Sequence, residues 1–124
     1  MKIKESGEMY LESIFLLSKK KPHIRSVDVS TFTGYSKPSV SRAMGLLKNA
    51  NLISISEEGY ISLSTEGEKI ANTMYERHTL LTELFVRLGV SEDIASEDAC
   101  KIEHVISDDS FEALKKHSKE FLNI

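Results

Sequence analysis

A mostly α-helical fold with one small β-hairpin is predicted for this 124-residue chain by three features of its sequence. Two short segments of helical periodicity flank a Gly34-Tyr35 turn; the period switches to two between Ile53 and Leu63; and from Thr65 onward helical periodicity returns in three runs. Helix, helix-turn-helix, hairpin and three further helices describe a winged helix-turn-helix over residues 1–64. A helical domain over residues 65–124 follows it.

The first helix is read over "SGEMYLESIFLLSKKK", where Met9, Leu11, Ile14, Phe15 and Leu17 recur near helical spacing, with Ser6 as N-cap and Pro22 as the stop. A second helix spans about Ser26 to Thr33. The third takes Ser36 as N-cap and Pro38 in its first turn, where a missing N–H costs nothing. Val40, Met44 and Leu47 fall on one face of it. Ile53 and Ile55 pair with Ile61 and Leu63 across a turn containing Gly59. A long helix runs from Thr65 to about Leu88 and ends at Gly89. Ser91 caps a helix reaching about Ile106, and Ser107 caps the last, through about Leu122.

Apolar residues make up 40% of the chain, a modest core that favours a homodimer sharing it. Leu80, Leu81, Leu84, Phe85, Leu88, Ile102, Val105 and Ile106 exceed what one small domain buries alone. There is no run of about 18 apolar residues, and "MKIKESGEMY" has no apolar segment of signal type, so a cytoplasmic protein with no membrane partner is expected. One cysteine cannot staple the fold. The net charge of −3 conceals a division. Residues 1–50 carry nine Lys/Arg against four Asp/Glu, a balance of +5; residues 51–124 carry seven against fifteen, a balance of −8. A basic front half suits phosphates, and an acidic rear half is either solvated surface or a place for a cation.

In a helix-turn-helix the second helix enters the major groove and its N-terminal residues reach base edges. Here those are Ser36, Lys37, Pro38, Ser39, Ser41 and Arg42. Short hydroxyl donors suit the phosphate backbone, and arginine can fork onto guanine. The same residues also read as the polar face of an amphipathic helix; the hairpin at wing spacing and the +5 balance favour DNA. Glu57 and Glu58 at the wing tip would repel phosphates, so either the wing leans away from DNA or Lys19, Lys20, Lys21 and Arg25 supply the backbone contacts instead.

The only cysteine sits in "CKIEH". On a helix Cys100, Glu103 and His104 fall at i, i+3 and i+4 and share a face. Met9 and Glu12 are again i and i+3 on the first helix, and His78 lies in the long one. Thiolate, thioether, carboxylates and imidazoles suit a first-row divalent ion better than Ca²⁺ or Mg²⁺. A lone cysteine on an apolar face is also an ordinary small core residue. A Cys/His pair could be a nucleophile and its base, but no oxyanion-hole motif accompanies it, so no enzyme and no small organic substrate are expected.

Together "GEMYLESIFLL", "SKPSVSRAMGLLKNANLI", "LSTEGEKIA", "RHTLLTELF" and "EDACKIEHVIS" resemble the diphtheria-toxin-repressor family of iron- and manganese-dependent transcriptional repressors, over about residues 5 to 122. The resemblance implies a homodimer whose winged helices bind a palindromic double-stranded operator when Fe²⁺ or Mn²⁺ fills a site formed by the first helix and the dimerisation helices. Carried over by position, it implies Met9, Cys100, Glu103 and His104 as ligands with Glu12 and His78 as further candidates, and DNA contacts at Ser36, Pro38, Ser39, Ser41 and Arg42.

The chain departs from both branches of that family. Met9 and Cys100 resemble the iron-responsive branch, where the manganese-responsive branch has acidic residues; Glu12 resembles the manganese branch. Thr82 and Ser96 stand where the iron branch completes an ancillary site with Glu and His. An end at Ile124 resembles the short manganese-type architecture, without an SH3-like domain. The expectation is a repressor of metal-homeostasis genes preferring Fe²⁺ over Mn²⁺, with Co²⁺, Ni²⁺ or Zn²⁺ able to bind in vitro. The alternative is a winged-helix regulator independent of metal or responsive to an organic ligand.

Overall fold

The computed structural model describes residues 4–124. It is mostly helical with a two-stranded antiparallel sheet: α1 (Glu5–Ser18), α2 (Ser26–Thr33), α3 (Lys37–Asn49), β1 (Ile53–Ile55), β2 (Ile61–Leu63), α4 (Thr65–Arg87), α5 (Glu92–Ile102) and α6 (Asp108–His117), followed by a π-helical segment, Ser118–Leu122. The chain divides into two compact units, residues 1–73 and 74–124, the division falling within α4. No helix among the described residues is long and apolar enough to cross a membrane.

In the first unit α1, α2 and α3 bury Leu11, Ile14, Val29, Val40 and Met44, all 2% exposed or less, with Leu47, Leu52, Ile53 and Ile61 in the same cluster. Ser36 caps α3 by accepting the Ser39 N–H, and Pro38 sits in its first turn. Gly34 ends α2 at φ +79°, a left-handed turn that glycine adopts without steric cost. α2 has no hydroxyl cap; instead the Asp28 carboxylate accepts the Arg25 N–H at 2.9 Å. The hairpin pairs Ile53 with Leu63 and Ile55 with Ile61. Gly67, in the first turn of α4, lies so close to the Leu52 carbonyl that a Cβ would stand 2.1 Å from its oxygen. Only glycine fits there.

Two boundaries differ from expectation. α1 begins at Glu5 with Lys4 as N-cap, so Ser6 lies inside the first turn, where Glu5 and Glu8 complement the helix dipole. α5 stops at Ile102 rather than near Ile106. Arg77 donates to the carbonyls of Glu103 and Ile106, at 3.0 and 2.9 Å. Carbonyls at a helix end lack intrahelical N–H partners, and Arg77 supplies the donors for these two. Glu103 and His104 stand in a turn after the helix.

In the second unit Met74, Leu81, Ala95, Ala99 and Phe111 are buried, and so is Arg77. Ser107 caps α6 by accepting the Ser110 N–H at 3.1 Å, as its sequence position predicts.

Candidate metal centre and nucleic-acid face

Met74, Arg77 and Leu81 lie at helical spacing on the buried side of α4, which sets one guanidinium into an apolar row. Besides the two carbonyls, Arg77 bonds the Asp108 carboxylate, and its guanidinium lies 5.5 Å from the centre of the Phe111 ring. Arg77 thus ties α4 to the turn carrying Glu103 and His104 and to the start of α6.

Glu103 is 1% exposed, and neither of its carboxylate oxygens has a hydrogen-bond donor among the described residues. Two imidazoles flank it, with His78 Nδ1 3.4 Å from Oε2 and His104 Nε2 3.4 Å from Oε1. A buried, unsatisfied carboxylate costs roughly several kcal/mol unless a cation compensates it. A buried carboxylate with an imidazole nitrogen near each of its oxygens offers the donor types that a first-row divalent cation takes. Around the centre, Ser96 Oγ lies 3.3 Å from His78 Nε2, and Thr82 Oγ1 donates to the His78 carbonyl at 2.7 Å.

Cys100 is exposed on α5, one turn before Glu103, so the shared face drawn from i, i+3 spacing does not bury the thiol with the carboxylate. In the first unit Glu12 is buried and Met9 half-buried on α1. The Ser13 hydroxyl donates to the Met9 carbonyl at 2.9 Å and lies 3.6 Å from its sulfur.

On α3, Ser36, Lys37, Pro38, Ser41 and Arg42 are exposed and Ser39 is half-buried. The Ser36 and Ser39 hydroxyls bond each other at 2.9 Å, and Arg42 Nη2 reaches Ser39 Oγ at 3.5 Å. Two of the three hydroxyls therefore help hold the start of the helix, and Lys37, Ser41 and Arg42 are the outward donors. Tyr35 sits 6.0 Å from Tyr10, whose phenol is pushed above its ordinary range by burial and then by Tyr35. At the hairpin, Tyr60 stacks on His23 at 4.4 Å and carries the Arg25 guanidinium 4.6 Å from its ring centre. Glu57 and Glu58 are exposed at the hairpin turn. Lys21 is committed to Asp28 at 2.6 Å; this bond, then the Arg25 N–H, holds the Asp28 carboxyl below the usual carboxylate range. Lys19, Lys20 and Arg25 are the exposed cations beside that pair.

Sequence reasoning passed over Arg77, the tie to the Glu103 turn, and Tyr60, the platform for Arg25. Arg77 had a signal: it falls in step with Met74 and Leu81 on an apolar stripe, where a cation needs buried acceptors.

The family described as "Iron dependent repressor, metal binding and dimerisation domain" matches residues 64–122. The transcriptional regulator MntR of Escherichia coli O6:H1 is 33% identical over 106 residues, covering 86% of this chain and 68% of that protein. The diphtheria toxin repressor of Corynebacterium jeikeium is 25% identical over 119 residues, covering 94% of this chain and 49% of its own length. The solved structure of the manganese regulator SloR superposes with a TM-score of 0.79 at 28% identity, over 99% of this chain and 55% of that one. This chain spans about half the length of that structure.

Proposed function

The chain belongs to the iron-dependent repressor family of metal-dependent transcriptional regulators, and from that premise we propose that it is a cytoplasmic repressor of metal-homeostasis genes. It binds a palindromic operator as a homodimer when a divalent cation is held. The observation that carries this reading is the Glu103 carboxylate, buried without a donor and flanked by the His78 and His104 imidazoles. A bound divalent cation supplies the positive charge this anion lacks.

His78, Glu103 and His104 are the core of the proposed ligand set, with Cys100 beside them on α5 and with Met9 and Glu12 from α1 by resemblance. Glu103 contributes charge, and the imidazoles contribute nitrogen donors in their neutral form. The two sulfur positions favour Fe²⁺ over Mn²⁺, because manganese prefers hard oxygen donors and lies lowest in the Irving–Williams order. Co²⁺, Ni²⁺ and Zn²⁺ are expected to bind in vitro.

Residues 1–64 are read as a winged helix-turn-helix, with α3 as the major-groove helix and the β1–β2 hairpin as its wing. Lys37, Ser41 and Arg42 face DNA outward, while Ser36, Pro38 and Ser39 build the helix start that presents them. Arg25, steadied on Tyr60, is the backbone contact at the wing. Residues 65–124 are read as the dimerising part. Leu88, Val105 and Phe121 are 78, 67 and 70% exposed, apolar surface suited to a second copy.

The test is operator binding. A site recovered by selection from random duplexes is titrated anaerobically with the protein, with and without Fe²⁺, Mn²⁺, Co²⁺ and Zn²⁺. Binding that needs a divalent ion in the wild type, and is lost in Glu103→Ala, is expected. Equal binding by chelated and metal-loaded protein would overturn the proposal.

A further inference from the structure

The two ring nitrogens of His78 face different partners. Nδ1 lies 3.4 Å from Glu103 Oε2, and Nε2 lies 3.3 Å from the hydroxyl of Ser96 on α5. All three residues belong to the second unit. Neutral imidazole has one N–H and one lone pair, so whichever nitrogen donates leaves the other to accept. For His78 to ligate an ion at the Glu103 carboxylate, Nδ1 must carry the lone pair, and therefore Nε2 the proton. The Ser96 oxygen is where that proton has an acceptor.

From this geometry we infer that Ser96 is a positioning residue for the metal centre. It accepts the Nε2 proton of His78, turns the ring so that Nδ1 is reserved for the cation, and withholds Nε2 from any second ion. The inference rests on the proposed metal site and adds a residue to it that is not itself a ligand. Partners of this kind hold the tautomer and orientation of a ligating histidine, and their loss typically weakens metal binding about 10- to 100-fold. Thr82, whose hydroxyl bonds the His78 carbonyl at 2.7 Å, steadies the backbone behind the same ring without touching its nitrogens.

Two measurements test this. Mn²⁺ affinity is compared by calorimetry in wild type, Ser96→Ala, Ser96→Thr and Glu103→Ala, and the His78 tautomer is read by long-range ¹H–¹⁵N NMR on the Zn²⁺-loaded protein. Ser96→Ala should lose about tenfold or more in Mn²⁺ affinity. Ser96→Thr should restore most of it, and metal-free unfolding should be the same in Ser96→Ala and wild type. The Zn²⁺-loaded wild type should show Nδ1 bound and Nε2 protonated. If Ser96→Ala keeps wild-type affinity while Glu103→Ala loses it, the site stands and Ser96 has no part in it. Zn²⁺ on Nε2 would also overturn the inference. If Glu103→Ala binds Mn²⁺ as wild type does, the metal site itself fails and the role of Ser96 falls with it.

Discussion

Removing the Arg77 side chain probes the link between the fold of the second unit and its metal centre. Arg77→Ala strips donors from the carbonyls of Glu103 and Ile106, which it bonds at 3.0 and 2.9 Å, and removes the cation beside Asp108 and Phe111. Hydrogen bonds to a charged group contribute roughly 1.5–3 kcal/mol each, so the two carbonyl bonds together amount to about 3–6 kcal/mol. The Asp108 side chain is 90% exposed, and its ion pair adds little once screened by solvent. A loss of about 4 kcal/mol is expected. With a urea m-value of about 2 kcal/mol/M, the unfolding midpoint of the chelated protein should fall by about 2 M. Arg77→Lys should recover only part of this, because one ammonium cannot reproduce the planar fork on two carbonyls. Metal affinity should fall in both variants, since the turn holding Glu103 and His104 is no longer tied to α4. A midpoint shift worth less than about 1 kcal/mol in Arg77→Ala would refute the assignment of those bonds as the tie.

Four other outcomes are expected. Arg42→Ala should weaken operator binding by roughly 1–3 kcal/mol while leaving metal affinity and dimerisation unchanged; equal losses on specific and random DNA in a shift assay would mark it as a phosphate contact only. Met9→Asp with Cys100→Glu should move activation from Fe²⁺ towards Mn²⁺ in metal-dependent operator titrations, because oxygen donors replace sulfur at both positions. Leu88→Asp with Val105→Asp should convert a dimer to monomers in sedimentation runs at micromolar concentration, each position being exposed and apolar in the isolated chain. Asp28 has a depressed folded-state pKa, so its stabilisation is fully present above the ordinary carboxylate range and is lost as pH falls through the folded value. Asp28→Asn should therefore flatten the acid limb of the stability–pH curve measured by urea unfolding.

The helices and hairpin were legible because their signals are local. The Ser36 cap, Pro38 in the first turn and the Val40/Met44/Leu47 stripe specify α3, and the period-two run over 53–63 specifies the hairpin. The tie at the end of α5 was not legible, because the guanidinium that bonds the Glu103 carbonyl lies 26 residues away in sequence. No local rule contains that bond. Helical spacing alone grouped Cys100 with Glu103, whereas the structure buries the carboxylate and exposes the thiol. His78 was named among the candidate donors from its place in the long helix, and again through the family resemblance. Its partner Ser96 was noticed for the imidazole it lacks, and the hydroxyl 3.3 Å from Nε2 needed coordinates to be seen.

The central claim is that the Glu103 carboxylate, with His78 and His104, holds a divalent cation. Crystals grown anaerobically with Fe²⁺ or Mn²⁺, and measured at the absorption edge of the added metal, test it most directly. An anomalous peak bonded to a Glu103 carboxylate oxygen and to His78 Nδ1 or His104 Nε2 is expected. An ordered Glu103 turn with no anomalous density on its carboxylate, at saturating metal, would contradict it.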